Sequence, residues 1–371
     1  MTLPHRRDLL KLLPSAGIAT LTGCGDSEEA RVSRYEAAIE TAKQELQHGD
    51  DQALSKAEAK KKVQEDELAA AEASKKVLLY CASNLAEPFQ QVQADLLRLA
   101  VRTLEGCRVE VLDAKNDVGV QLDHLAQAQR QHPAWLIFQP VEEKLSAALL
   151  ESMKNQGTKI IGLDQRLAPS ACHALVFIDQ KKLGQKAGEV VIEALKRKAT
   201  QEGKPQVTGR VVQITGARGA ATLARSEAFL NVLRTEPGII LVHDAPGDWS
   251  LQSGRERCED ALRLQGQLDV IFAHNDAMAQ GASEALNTAQ KRDQVLIVGI
   301  DAMGGREGGL DLLRRSVIDA TVWQPMPLET SFLMIQRSLN EKAYQWPATT
   351  EREPEAVTPK TLDDFVKRLR G

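Results

Sequence analysis

From Val77 onward the chain alternates between short apolar runs and longer stretches whose apolar positions recur every three or four residues. The runs fall at residues 77–82, 108–114, 134–138, 158–164, 174–179, 209–215, 238–245, 269–275, 294–301 and 319–324. Continuous runs such as "VLLYCA" or "QVLIVGID" suit strands buried on both faces, and the amphipathic stretches between them suit helical crossovers joining parallel strands. Ten strands exceed one simple sheet, and the two halves repeat the same strand-helix logic. The pattern therefore predicts an α/β protein of two doubly wound, Rossmann-like parallel-sheet lobes with a ligand cleft between them. The polar stretch Lys196 to Thr208 reads as an exposed loop on the second half.

One stretch shows the logic in miniature. In Asp269 to Leu286, Val270, Ile271 and Phe272 are too short a run for a helix, whereas Ala279, Ala282 and Leu286 recur at helical spacing. The segment reads as strand, turn, helix. Asp276 is placed to cap the helix, leaving Asn275 free to point away from the sheet. Such turns lie at the carboxyl ends of strands, where open α/β sheets bind ligands.

Before Val77 the pattern changes. Residues 28–76 are rich in Ala, Glu, Lys and Gln, hold no Pro, and have only scattered apolar positions, so they favour helix without a sustained heptad. They read as a charged helical stalk, broken near His48-Gly49-Asp50-Asp51, serving as a solvated spacer or helical hairpin or, alternatively, as a partner-binding coiled coil. At about 1.5 Å per residue each arm would reach roughly 30 Å. Residues 1–24 begin with Arg6 and Arg7, continue through a modestly apolar segment from Leu9 to Leu21, and end at Cys24. Lys11, Pro14 and Gly17 interrupt that segment, which is short of the ~20 apolar residues of a transmembrane helix, so it reads as a signal peptide. Leu21-Thr22-Gly23-Cys24 resembles the bacterial lipobox, which implies a lipidated Cys24 at the mature N-terminus and a membrane anchor. Arg6-Arg7 resembles a twin-arginine signal, with the general secretory route as the alternative.

Charge and composition narrow the partners. A formal charge of −4 and a pI near 6.1 leave no global basic footprint, so nucleic acid is not the expected partner. The cysteines Cys81, Cys107, Cys172 and Cys258 show no CxxC or Cys/His spacing, so neither a metal nor a redox centre is expected, and a disulfide among them is allowed without being specified. No cofactor is implied.

Aromatics make up only 4% of the chain, so those in turns need a reason. The predicted strand ends carry Ser83, Glu87, Phe89 and Gln90 after the first run, Asp164 and Arg166 after the fourth, and Arg225 on the helix after "VVQITG". Trp249 follows "LVHDAPGD", and Asn275, Asp301 and Gln324 follow the last three runs. Alone, an Asp there is an ordinary helix cap and a Trp an edge-of-core plug. Together these residues match what a sugar needs. Carboxylates, amides and a guanidinium fork pair with hydroxyls that both donate and accept, while aromatic faces cover the C–H surface of a ring.

With the blocks "EPF", "LDQR", "ARSEAF", "AHNDAMAQGA", "VGIDA" and "DATVWQ", the region from Val77 to Gly371 resembles the type I periplasmic sugar-binding proteins of ABC transporters, the group of the ribose- and glucose/galactose-binding proteins. The resemblance implies that Glu87, Phe89, Asp164, Arg225, Trp249, Asn275, Asp301 and Gln324 line a sugar cleft, with Ser83, Gln90 and Arg166 as secondary candidates. It implies a monosaccharide ligand, pentose or hexose, and an ABC permease and ATPase as partners. Residues 77–179 with 325–354 would form one lobe and residues 180–324 with 355–371 the other. Three crossings near Asp179, Gln324 and Glu355 would act as a hinge. Glu87 stands where ribose-binding proteins have Asn, and Gln90 where they have a second Phe. Gly219 and Ala221 replace the His and Asp that glucose/galactose binders place before the arginine. These departures leave the sugar open.

Rival readings fit less of the chain. A lactose-repressor relative would need an N-terminal DNA-binding helix-turn-helix. The "ITGARGAA" turn imitates a dinucleotide-binding loop but lacks the full G-x-G-x-x-G. No nucleophile-base arrangement stands out, and His274 reads as cleft floor, so no enzyme is expected. A sugar sensor that presents its bound state to a membrane signalling partner remains the alternative to transport.

Overall fold

The computed structural model describes residues 61–63, 74–164 and 166–370. The expected signal peptide with Arg6, Arg7 and Cys24, and nearly all of the expected stalk, lie outside them. Among the described residues twelve strands build two six-stranded sheets. The first holds β1 (Lys76–Ala82), β2 (Cys107–Asp113), β3 (Trp135–Phe138), β4 (Lys159–Gly162), β5 (Ala174–Phe177) and β11 (Thr349–Glu351), in the order β11-β5-β4-β3-β1-β2. The second holds β6 (Gly209–Thr215), β7 (Ile239–Pro246), β8 (Val270–Ala273), β9 (Leu296–Asp301), β10 (Ala320–Trp323) and β12 (Glu355–Val357), in the order β12-β10-β9-β8-β6-β7. All pairings are parallel except β10 with β12. The fold is α/β with two parallel-sheet lobes.

The ten predicted runs are the ten long strands, and all but the partly buried edge strands β2 and β7 have side chains buried on both sides. In β1, Leu78, Tyr80 and Ala82 enter one apolar cluster while Leu79 and Cys81 enter another. In the second lobe Val212 and Ile214 face one cluster and Val211 the opposite one. Each fully buried Leu, Ile or Phe contributes about 1.5–3 kcal/mol, which makes the sheets the stable frame. β11 and β12 had no such signature. Each is three residues long at a sheet edge, on either side of Arg352-Glu353-Pro354.

The helices cover both faces. The first lobe carries α1 (Pro88–Val101), α2 (Val118–Gln131), α3 (Glu143–Asn155) and, returning late in the chain, α9 (Pro327–Asn340). The second carries α4 (Gln180–Gln201), α5 (Ala220–Leu233), α6 (Leu251–Gln265), α7 (Asp276–Thr288), α8 (Gly309–Arg314) and α10 (Leu362–Arg370). The stretch 196–208 is not all loop, since α4 continues through Gln201. Its Lys, Arg, Ala and Gln are good helix formers, and Ala199 is buried on the inner face. The chain passes between the sheets after β5, after β10 and between β11 and β12. The four described cysteines are buried free thiols, so the disulfide that the sequence allowed is not formed among them.

Close helix contact in the second lobe depends on missing side chains. A Cβ on Gly281 would stand 2.0 Å from the Leu251 carbonyl oxygen, and one on Gly254 2.2 Å from that of Met278, so α6 and α7 touch backbone to backbone. Gly281→Ala should therefore cost about 1–3 kcal/mol in urea unfolding. Gly304→Ala, which meets nothing within 4 Å, should stay within about 0.5 kcal/mol of the parent. Equal midpoints for the two variants would contradict this packing.

Candidate functional site

Both sheets have the 2-1-3-4-5 type of strand order, in which ligands bind beyond the carboxyl ends of the strands next to the switch between the first and third strands. In the second lobe that switch lies between β6 and β8. There α5 carries Arg225 and the turn after β8 carries His274 and Asn275.

Arg225 is the centre. Only 4% exposed, it donates from Nε to Gln180 Oε1 at 3.2 Å and from Nη2 to the same oxygen at 2.6 Å. Nη2 also donates to Gln324 Oε1 at 3.0 Å, and Nη1 donates to the His274 carbonyl oxygen. Four bonds thus draw on a guanidinium with five N–H donors. Its Cζ stands 5.4 Å from the centre of the Trp249 indole, within cation–π range. Burial pulls the Arg225 pKa down to about 10, opposed by the nearby carboxylates of Asp301 and Glu87, so it stays charged at neutral pH.

Trp249 adopts φ +75°, a conformation uncommon for a bulky residue, and its indole lies across Gly216, where any Cβ would collide with the ring at 2.1 Å. The Trp249 carbonyl accepts from Asn275 Nδ2 at 2.9 Å, which ties the ring to the turn after β8. Beneath it, His274 is fully buried, its ring centre 6.2 Å from that of Trp249 and 5.2 Å from that of Phe272. Both ring nitrogens lack a protein partner. Burial and the Arg225 charge hold its pKa well below the ordinary histidine value, so the ring is neutral.

The roles expected for Asn275 and Asp276 are reversed. Asn275 is the cap of α7, its Oδ1 accepting from Met278 N at 2.9 Å. Asp276 turns into the interior, where Oδ2 accepts from Ala302 N at 2.8 Å and Oδ1 from Thr321 Oγ1 at 2.7 Å. The space exists because Gly299 and Gly309 flank it. A Cβ on either would come within 2.2 Å of an Asp276 oxygen. An Asn at that buried position would aim its amide N–H groups at donors, whereas Asn caps a helix as well as Asp does.

Asp301 ends β9 with φ +125°, followed by Ala302 at φ +49°. Its pKa is raised well above the usual carboxylate range by burial and by the negative charge of Asp276; Arg225 pulls the other way, and Glu87 adds to the rise. Asp276 itself is raised to about 7, mainly by burial. Gln324, just after β10, donates its backbone N–H to the Asp301 carbonyl at 3.2 Å.

The first lobe supplies Glu87. It occupies the capping position of α1 without making a capping bond, and Pro88 takes the first helical position, where no N–H is needed. Burial raises the Glu87 pKa and the Arg225 charge lowers it, so the two groups interact across the lobes. Phe89 is 7% exposed yet belongs to neither face of the first core. Gln90 Oε1 accepts from Gln93 Nε2 at 3.3 Å, and Gln93 Oε1 accepts from Leu328 N at 3.3 Å at the start of α9. Ser83 accepts from Asn116 N through its carbonyl at 2.7 Å. Asp164 and Arg166 engage each other by a fork, with Nε to Oδ1 at 3.0 Å and Nη2 to Oδ2 at 2.5 Å. Sequence reasoning passed over Gln180, whose signal is its spacing to Gly184 and Gly188 on α4. Among the described residues no cluster of His, Cys, Asp or Glu could hold a metal ion.

Comparison with known proteins bears on the fold and the family. The family pattern described as a periplasmic binding protein domain matches residues 78–335. The ribose import binding protein of Bacillus subtilis is 26% identical over 220 residues, 59% of this chain and 67% of the relative. The D-apiose import binding protein of Paraburkholderia graminis is 25% identical over 243 residues, 65% of this chain and 73% of the relative. Among solved structures, an ABC transporter solute binding protein from Bacillus halodurans with bound myo-inositol superposes with TM-score 0.66 at 22% identity, covering 80% of this chain and 99% of that one. The fructose binding periplasmic domain of a hybrid two component system gives 0.64 at 23% identity, covering 80% and 94%. The chain belongs to the periplasmic binding protein family, with its type I fold, and is a binding protein and not an enzyme.

Proposed function

We propose that the chain is an extracytoplasmic substrate-binding protein that captures a small polyhydroxylated ring, a pentose, a hexose or a similar polyol, between its lobes and delivers it to an ABC importer. The carrying observation is the buried Arg225, flanked by Asp301 and Trp249 and in electrostatic contact with Glu87 of the other lobe. A ring that donates to Asp301 and Glu87, accepts from Arg225 and lays its C–H face on Trp249 satisfies each of these groups at once. Hydroxyls without partners would leave buried polar groups unpaired, which is the physical source of selectivity. Support for the ligand class comes from the relatives that import ribose and D-apiose. Asp164, Phe89, Asn275 and Gln324 complete the proposed cleft, with Ser83, Gln90 and Arg166 at its margin. The lobes are assigned as residues 77–179 with 325–354 and 180–324 with 355–371. The proposed anchor is lipid on Cys24, with residues 25–76 as the stalk that sets the lobes off from the membrane.

Titration calorimetry against ribose, D-apiose, D-allose and myo-inositol tests the binding. Arg225→Ala and Asp301→Ala should each weaken the best of these by about 1.5–3 kcal/mol, because each removes charge-assisted bonds in a buried site. Parental affinity in both variants would remove the site. Cys24→Ala should leave an uncleaved precursor or protein that washes off membranes. An unmodified Cys24 in the native membrane fraction, read by mass spectrometry, would remove the anchor.

The raised carboxylates also predict a pH dependence for the ligand-free protein. A carboxyl whose folded-state pKa exceeds its unfolded value of about 3.9 contributes stability that is complete below that value and is lost as pH rises toward the folded one. For Asp276 the loss spans about pH 4 to pH 7, and Asp301 shifts in the same direction. Asp301→Asn removes one of the two mutually repelling groups. The stability difference, variant minus parent, should therefore grow from pH 5 to pH 7.5 in urea titrations while sugar binding is weakened. A pH-independent difference would mean that the Asp301 carboxyl is not raised in the folded protein.

A further inference from the structure

Gln180, Gly184 and Gly188 recur every four residues and so lie on one face of α4. That face meets α5. A Cβ on Gly184 would stand 2.1 Å from the Arg225 carbonyl oxygen, and one on Gly188 2.7 Å from Val232 Cβ. The glycines let the two helices touch at the level of Arg225, and one turn earlier the Gln180 amide reaches its guanidinium. Gln180 is also the first residue of α4, after the Asp179 cap and three residues beyond the end of β5, so it sits at the first passage between the lobes. Gln324 directly follows β10, at the second passage.

We propose that Gln180 is a positioning residue for the ligand site, holding the roll and reach of Arg225 and linking that arginine to the hinge. The inference rests on the reading above that Arg225 touches the ligand. A guanidinium is planar, and an acceptor shared by Nε and Nη2 fixes that whole edge. The His274 carbonyl takes one Nη1 hydrogen, which leaves the other as the donor not engaged by these acceptors. Gln180 thereby selects which edge of Arg225 is available. Because Nη2 is divided between Gln180 and Gln324, a rotation that changes the relation of these two passages also changes the seat of Arg225. Closure and capture then share one set of hydrogen bonds.

The test uses the full chain with Gln180→Leu, which removes the acceptor, and Gln180→Glu, which retains it. Two quantities are read. One is affinity for the best ligand among ribose, D-apiose, D-allose and myo-inositol. The other is the ligand-free distance between spin labels at Leu145 and Leu264, exposed positions on opposite lobes. Gln180→Leu should weaken binding about tenfold or more and shift the distance distribution, while Gln180→Glu should stay within about threefold of the parent and keep its distances. If Gln180→Leu does not fold, Gln180→Asn, which shortens the reach by one methylene, takes its place. Parental behaviour of the leucine variant overturns the proposal. So does weaker binding with unchanged distances and no rescue by glutamate. Should the parent protein bind none of the four polyols, the proposed function fails, and the distance measurement still decides the role of Gln180.

Discussion

A buried guanidinium cannot be left without acceptors, and much of the second lobe is arranged around that requirement. Removing Arg225 from water is tolerable only because oxygens from separate chain segments converge on it. They come from the start of α4, the turn after β8 and the end of β10, all at the carboxyl edge of one sheet. The turn after β8 and the end of β10 reach that edge because β6 to β10 run parallel and release their chain on the same side, and α4 starts there because it runs back to the opposite end of β6. The polar centre is a consequence of the strand order as much as of the residue types.

The charge balance is what fits the centre to the neutral, hydroxyl-rich ligand proposed for it. One cation faces Asp301 and, across the lobes, Glu87, while Asp276 adds negative charge from behind. Such a site cannot relax by pairing every charge internally. Hydroxyls that donate to the carboxylates and accept from the guanidinium relieve it without adding net charge. Asp276 is different in kind from its neighbour. Its oxygens are occupied by Ala302 N and Thr321 Oγ1, and two glycines hold the space around it, so it shapes the loop that presents Asp301.

The sheets were legible in the sequence because strands buried on both faces leave continuous apolar runs, and all ten such runs became strands. β11 and β12 were not legible, since three-residue edge strands follow the sheet they join and carry no periodicity of their own. The loop expected from Lys196 was helix up to Gln201 because polarity alone does not separate an exposed helical turn from a loop. The neighbouring residues at 275 and 276 exchanged roles for a similar reason. Both side chains cap helices, and the choice was made by distant residues, Gly299, Gly309 and Thr321, that no local pattern reveals. Gln180 escaped notice because its importance comes from what α4 packs against.

A site of this kind opposes the stability of its own lobe. Asp301 and Asp276 are buried near one another at raised pKa, Trp249 and Asp301 hold backbone angles uncommon for their side chains, and both nitrogens of His274 lie unpaired in the interior. Each of these costs free energy in the empty protein. They are concentrated at one edge of a frame whose two sheets are packed with Leu, Ile, Val and Phe on both faces, and that frame offsets them. The strained groups and the three passages between the lobes occur in the same part of the molecule. That proximity lets a bound ring act on both. In the function proposed here, satisfying the polar groups would lower the cost of the conformation in which the two lobes meet, so that the energy of capture would become energy of closure.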